Sequence, residues 1–190
     1  ERIVNEQIAR DLPVTCEVPP HNLMLTDEAC ATYDTNFKMN PPLRSAADQA
    51  ALRDALAEGT IDAIATDHAP HLAIEKDVEF EQAANGVIGL ETALALALEL
   101  VELGVLTPAK LVARMSTTPA KILSLPGGNM AVGSPADVTV IDPKVAWTCD
   151  PTRFRSKARN TPFGGRAMRG RCALTVVGGR IVFADDKFSL

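Results

Sequence analysis

Aromatic side chains are scarce in this chain, at 4% of 190 residues with one Trp and one Tyr. A core drawn from its 46% hydrophobic residues must therefore be filled mainly by Leu, Ala, Val and Ile. Positive charge is not in excess either. The net charge is −5, and a surface for nucleic-acid phosphates needs clustered Lys and Arg, so no nucleic-acid partner is expected. Long apolar runs are missing. The greasiest stretch, residues 89–103, carries Glu91, Glu99 and Glu102, whereas a helical membrane span needs about 18 nearly uncharged residues. Cys16, Cys30, Cys149 and Cys172 show neither Cys-x-x-Cys spacing nor a dense disulfide pattern, which fits a reducing cytoplasm. The opening ERIVNEQIARDLP lacks the basic start, apolar middle and cleavage site of a signal peptide.

What is present reads as alternating helix and strand. Ile3, Val4, Ile8 and Leu12 sit near helical spacing before Pro13. Residues 14–18, β-branched and compact, predict a strand that buries Cys16. A proline-bearing polar loop follows, long enough to suggest a function. Ser45 with Asp48 predicts a helix N-terminus, and Gly59 its end. Residues 61–66 predict a buried parallel strand. A loop over residues 67–86 then leads to a helix at residues 90–103. Thr107-Pro108 and Thr118-Pro119 predict two further short helices, each with a threonine cap.

After Gly128 the pattern changes. Residues 137–141 predict a strand, and residues 173–183 a hairpin turning at Gly178-Gly179. Residues 143–171, rich in Pro, Arg and Gly, predict irregular structure. The expected organisation is an α/β part over residues 1–128 and a β-rich part over residues 129–190.

The residues that could carry chemistry cluster at expected strand ends. Ala65-Thr-Asp-His-Ala-Pro-His71 follows a buried parallel strand, the place where α/β folds build active sites. Asp67 there could ligate a metal or shuttle a proton, or could merely cap the turn. His68 and His71 could form a two-histidine metal site only with a further ligand. In Lys38-Met-Asn-Pro-Pro-Leu-Arg44, consecutive prolines would fix the Asn40 amide against a polar ligand, while Arg44 reads better as a structural ion pair. His21 follows the first strand, where a single histidine is more often structural than a ligand. The helix over 90–103 is core, and no cysteine has a base beside it to make it reactive.

Residues 38–45, ending in Pro-Pro-Leu-Arg-Ser45, and Gly59-Thr-Ile-Asp-Ala-Ile-Ala-Thr-Asp-His-Ala-Pro-His71 together resemble the dihydroorotase family of the amidohydrolase superfamily. Gly133-Ser-Pro-Ala-Asp-Val-Thr-Val-Ile-Asp142 and Asn160-Thr-Pro-Phe-Gly164 resemble that family's C-terminal β segment and tail. The resemblance implies the C-terminal part of a TIM (β/α)8 barrel, about strands 7–8 with their helices, followed by a small β-rich segment. It implies reversible hydrolysis of dihydroorotate to N-carbamoyl-aspartate in pyrimidine biosynthesis, with one or two zinc ions. On that basis Asp67 is a zinc ligand and general base, Asn40 and His71 bind substrate, and the backbone at Asn85 and Gly86 closes on the pyrimidine ring. Many relatives read Pro-Phe-Gly where this chain has Ala84-Asn-Gly86, so an aromatic contact is lost. His21 aligns with a paired-histidine stretch whose second member is Asn22 here, and it is not counted as a ligand.

The family's strand-one His-x-His pair, its strand-four bridging residue and its other barrel histidines find no match. A barrel alone needs roughly 250 residues. The chain therefore reads as the C-terminal part of a longer polypeptide, inactive by itself and without tight zinc. The resemblance further implies a cytoplasmic homodimer or an assembly with aspartate carbamoyltransferase. Two alternatives remain: a hydantoinase or allantoinase, and an inactive dihydroorotase-like subunit that organises a carbamoyltransferase.

Overall fold

Two short parallel strands carry the first half of the molecule. The computed structural model describes residues 13–185; the helix expected over residues 1–12 lies outside them. Strand β1 (Glu17–Val18) pairs in parallel with β2 (Ala63–Ile64), Glu17 opposite Ala63 and Val18 opposite Ile64. Both strands are shorter than expected. At one end the Asp62 carboxylate takes the Cys16 N–H at 2.9 Å in place of a ladder bond. At the other, Asp67 adopts a left-handed backbone with φ 47° and turns the chain away. Cys16 consequently lies ahead of the strand, half-buried rather than buried, and its thiol donates to the Thr60 carbonyl.

Helix α1 (Pro20–Met24) follows β1 directly. Helix α2 (Ala46–Glu58) starts where its sequence dictates: the Ser45 hydroxyl accepts from the Asp48 N–H while the Asp48 carboxylate accepts from the Ser45 N–H, a reciprocal capping box. Gly59 then ends it. The loop expected over residues 67–86 contains a single turn, α3 (Ala73–Lys76), fixed by the Glu75 carboxylate on the Leu72 N–H. Helix α4 (Ala93–Glu102) buries Ala93, Ala95, Leu96, Ala97 and Leu100.

Thr107 caps α5 (Pro108–Val112) as expected. The predicted break at Thr118 is absent. A π-helical turn (Ala113–Thr117) carries the backbone without interruption into α6 (Thr118–Ile122), so no residue there needs a cap, and the Thr117 hydroxyl donates instead to the Gly128 carbonyl.

Beyond residue 128 the chain builds an antiparallel sheet in the order β3 (Val138–Thr148), β4 (Ala167–Val177), β5 (Arg180–Ala184). Both φ angles of Gly178 and Gly179 are positive, as a two-residue hairpin turn requires. The expectation of irregular structure over residues 143–171 fails at both ends. Register shifts between Val140 and Ile141 and between Asp142 and Ala146 let β3 continue past Pro143.

Three apolar clusters hold these elements. Val18, Leu23, Leu56, Ile61, Ile64, Leu100, Leu106 and Leu111 join the strands to the helices around them. Ile88 and Leu96 pack with Cys149, Phe154, Phe163 and Met168, so this core is shared by residues from both sides of position 128. A small third cluster of Met39, Leu43 and Val87 lies under the proline loop. Among the described residues no helix is long and apolar enough to cross a membrane.

Candidate active site

The site is assembled by backbone pairing between two segments distant in sequence. Beyond β2 the chain turns at Asp67, and residues 68–69 then run parallel to Val87. His68 bridges Val87, and the Ala69 N–H donates to the Val87 carbonyl at 2.9 Å. A third segment joins them, because the Gly86 N–H donates to the Lys38 carbonyl at 2.9 Å. Val87 also packs on Met39 and Leu43, which flank Asn40 and its prolines. The backbone thus brings the Asn40 loop, residues 67–71 and residues 85–88 together at the end of β2.

Within this junction one nitrogen of the His71 ring is committed. A carbonyl oxygen can only accept, so Nε2–H donates to the Asn85 carbonyl at 2.8 Å; Nδ1 lies 3.6 Å from the exposed Glu75 carboxylate. Gly86 is buried, with φ 112°. A Cβ placed there would sit 2.5 Å from Ala69 Cβ, so no other residue fits without a shift. Asp67, Asn40 and Asn85 are exposed at the rim. A non-glycine residue with positive φ is uncommon, and Asp67 holds one at the expected catalytic position.

One nitrogen of the His68 ring is taken by the backbone. Nδ1 accepts from the Gly89 N–H at 3.1 Å and from the Leu90 N–H at 3.4 Å, anchoring the approach to α4. Arg44 pairs with Asp48 at 3.5 Å, an exposed structural contact as expected. His21 is 2% exposed, and its Nε2 has no hydrogen-bond partner. Burial lowers its pKa to about 4, against the opposing pull of the Asp67 carboxylate.

Two residues to which the sequence reading gave no role in the site hold the junction. Lys76, 7% exposed, donates from Nζ to the Ala84 carbonyl at 2.8 Å and the Gly86 carbonyl at 3.2 Å. Burial, and then the nearby Lys38 ammonium, lower its pKa. Asn160, also buried, bonds to both paired segments. The Asn160-Thr-Pro-Phe motif was a signal for it, whereas one lysine in a charged turn gave none for Lys76.

A cleft of about 590 Å3 opens beside the junction, with His71, Glu75, Lys157, Arg159 and Asn160 among its walls. Asp67, Asn40, Asn85 and Gly86 are not in those walls, so it is a side cleft and not the pocket that their expected roles would require. Among the described residues no group of three or more His, Cys, Asp or Glu is placed to hold a metal ion. A tetrahedral zinc with a water needs three protein ligands, and no such set is brought together among the described residues. The described chain does not by itself fit a zinc site.

The chain is 56% identical over 188 residues to a dihydroorotase of Anaeromyxobacter dehalogenans, and 55% identical over 182 residues to one of Geobacter metallireducens. It spans 43% of the length of each, and these alignments cover 98% and 96% of it. Among solved structures, the L-hydantoinase (dihydropyrimidinase) of Arthrobacter aurescens superposes with a TM-score of 0.91 at 31% identity, over 96% of this chain and 42% of the other. The dihydropyrimidinase of Brevibacillus agri gives 0.88 at 26% identity, with the same coverage. The family profile described as amidohydrolase matches residues 8–182, and the chain belongs to the amidohydrolase family.

Proposed function

We propose that this chain is the C-terminal part of a zinc-dependent dihydroorotase, which opens the cyclic amide of dihydroorotate to N-carbamoyl-aspartate and runs the reverse cyclisation in pyrimidine biosynthesis. One observation carries this reading. The junction of the Asn40 loop, residues 67–71 and residues 85–88 forms in a chain 56% identical over 98% of its length to a dihydroorotase. In this reading β1 and β2 are strands 7 and 8 of a TIM barrel, residues 1–128 close that barrel, and residues 129–190 belong to a small β-rich domain.

Asp67 is both a metal ligand and the general base. Its carboxylate takes a proton from the attacking water and returns it to the leaving ring nitrogen, a role that suits an exposed carboxylate at a strand end. Asn40 and His71 hold the substrate, and the backbone at Asn85 and Gly86 closes on its ring. Because His71 Nε2–H is held by the Asn85 carbonyl, recognition by this imidazole is coupled to the loop that covers the ring. Zinc, as one or two ions, would supply electrophilic activation of the amide carbonyl and of water, with Asp67 as the ligand this chain would contribute. The enzyme works in the cytoplasm, as a homodimer or beside aspartate carbamoyltransferase.

The fit to an L-hydantoinase supports a second reading, a hydantoinase or allantoinase. Assay of the complete polypeptide on dihydroorotate, hydantoin and allantoin separates the two. Hydrolysis of dihydroorotate well above the other two is expected. Turnover of hydantoin or allantoin without dihydroorotate moves the assignment to the second reading. No turnover of any of them leaves the third reading of the sequence, a non-catalytic partner of a carbamoyltransferase.

A further inference from the structure

Asn160 stands in the segment between β3 and β4, 89 residues from His71 in sequence, yet its side chain is 6% exposed and sits between the two paired strands of the junction. Its amide is fully engaged. Nδ2 donates to the Ala69 carbonyl at 2.9 Å and to the Gly86 carbonyl at 3.2 Å, using both hydrogens. Oδ1 accepts the His71 N–H at 3.2 Å. The Asn160 main-chain carbonyl accepts the Ile88 N–H at 2.9 Å. One residue therefore binds both segments, on either side of the contact between His71 and Asn85.

The contacts also fix which way the amide points. Two carbonyls face one end and an N–H faces the other, so only the orientation with nitrogen toward Ala69 and Gly86 satisfies all three. The residue is held from behind. Thr161 and Phe163 are buried, the Phe163 N–H donates to the Thr161 hydroxyl, and Phe163 packs in the core with Ile88 and Leu96. Aspartate keeps the acceptor for His71 but sets a carboxylate oxygen against two carbonyl oxygens.

We infer that Asn160 is a positioning residue: through its amide it sets the spacing between His71 and Gly86, and so couples the β-rich segment to the substrate contacts of the site. The inference rests on the proposed roles of His71 and Gly86.

The test is a double-mutant cycle in the complete protein, with Asn160→Asp and His71→Ala read in KM and kcat for dihydroorotate. Asn160→Asp is expected to raise KM by about 10- to 100-fold with a smaller change in kcat, the range found when a supporting partner of a site residue is lost. In the His71→Ala background the same change should add a smaller factor, because the share of its effect carried by the position of that ring is already lost. An unchanged KM, or an equal factor in both backgrounds, overturns the inference. Hydrogen exchange on the unmutated protein gives a readout that needs neither turnover nor a folded variant. The His71 N–H has the Asn160 amide as its acceptor, so slow exchange at His71 and Ile88 is expected. Exchange there at the rate of an open loop overturns the tether. Absence of dihydroorotate turnover by the unmutated protein removes the functional reading instead, and exchange then decides on the tether alone.

Discussion

Lys76 Nζ donates to the Gly86 carbonyl oxygen at 3.2 Å, from a side chain that is almost fully buried. The same ammonium donates to the Ala84 carbonyl, and no carboxylate takes part in either bond. Lys38 repeats the device one step away, with Nζ on the carbonyls of Glu81 and Ala83. Two cations thus hold residues 81–86 by main-chain acceptors, fixing a path that its own sequence, without helix or strand, does not fix.

Lys76→Met keeps the length of the stem but removes the donor. Two carbonyls lose a charge-assisted partner, and the expected loss of stability is about 1–3 kcal/mol. Denaturant unfolding of the variant beside the unmutated protein checks it. A midpoint unchanged within error would mean that water replaces the ammonium at no cost.

How far the sequence made this arrangement legible depended on the range of the interaction involved. The Ser45–Asp48 capping box and the Gly178-Gly179 turn are local chemistry, and both are found where residue type and spacing put them. Strand length was not legible, because β1 and β2 end where Asp62 and Asp67 interrupt the ladder, and no periodicity records that. The π-helical turn hides behind two Thr-Pro pairs that look alike, of which only the first begins a new helix. In the site, the motif around Asp67 and His71 was visible in sequence. The commitment of His68 to the Gly89 and Leu90 amides was not, and neither was the reach of Lys76 and Asn160 across the junction. Those contacts join positions distant in sequence through backbone atoms, which carry no residue-type signal.

Gly86→Ala tests the close approach at the junction. The added methyl meets Ala69 Cβ at 2.5 Å on a backbone with φ 112°. Clash and strain together should cost about 1–3 kcal/mol and, on the proposed function, weaken dihydroorotate binding by the complete protein. Pairing it with Ala69→Gly removes the methyl contact and leaves the dihedral strain, so a partial recovery of stability is expected. Full recovery would mean that the backbone conformation carries no strain of its own.

Asp67→Asn separates chemistry from folding. The side chain is exposed at a strand end, so thermal stability should change by no more than about 0.5 kcal/mol. Dihydroorotate turnover by the complete protein should fall by about 10²- to 10⁴-fold, the range for loss of a positioned general base. Retention of most activity would remove the role assigned to this carboxylate.

Ser45→Ala takes away the hydroxyl that caps α2, at an expected cost of about 1 kcal/mol. A pH dependence goes with it. The Ser45 hydroxyl and then its N–H hold the Asp48 carboxyl below its ordinary pKa. A depressed carboxyl stabilises the fold above the ordinary carboxylate range, and that contribution is lost as pH falls through the folded value. Acid unfolding of Ser45→Ala should therefore depend less steeply on pH below about 4 than that of the unmutated protein. An identical slope would show that the hydroxyl does not set the Asp48 titration.

His21 makes the opposite kind of prediction, because burial holds it neutral. Its pKa falls from the ordinary 6.5 to about 4, with the Asp67 carboxylate opposing the shift. Between those values the unfolded chain takes up a proton that the folded chain refuses, so stability rises with pH across the window. It is complete above about 6.5 and is lost progressively as pH falls toward 4, by up to about 3 kcal/mol. His21→Leu removes both the titration and the buried Nε2 that has no hydrogen-bond partner. Denaturant unfolding of that variant should vary little between pH 7 and pH 5 on this account, while the unmutated protein loses stability over the same interval. If both lose it equally, His21 is protonated in the folded protein, and the Asp67 carboxylate outweighs the desolvation of the ring.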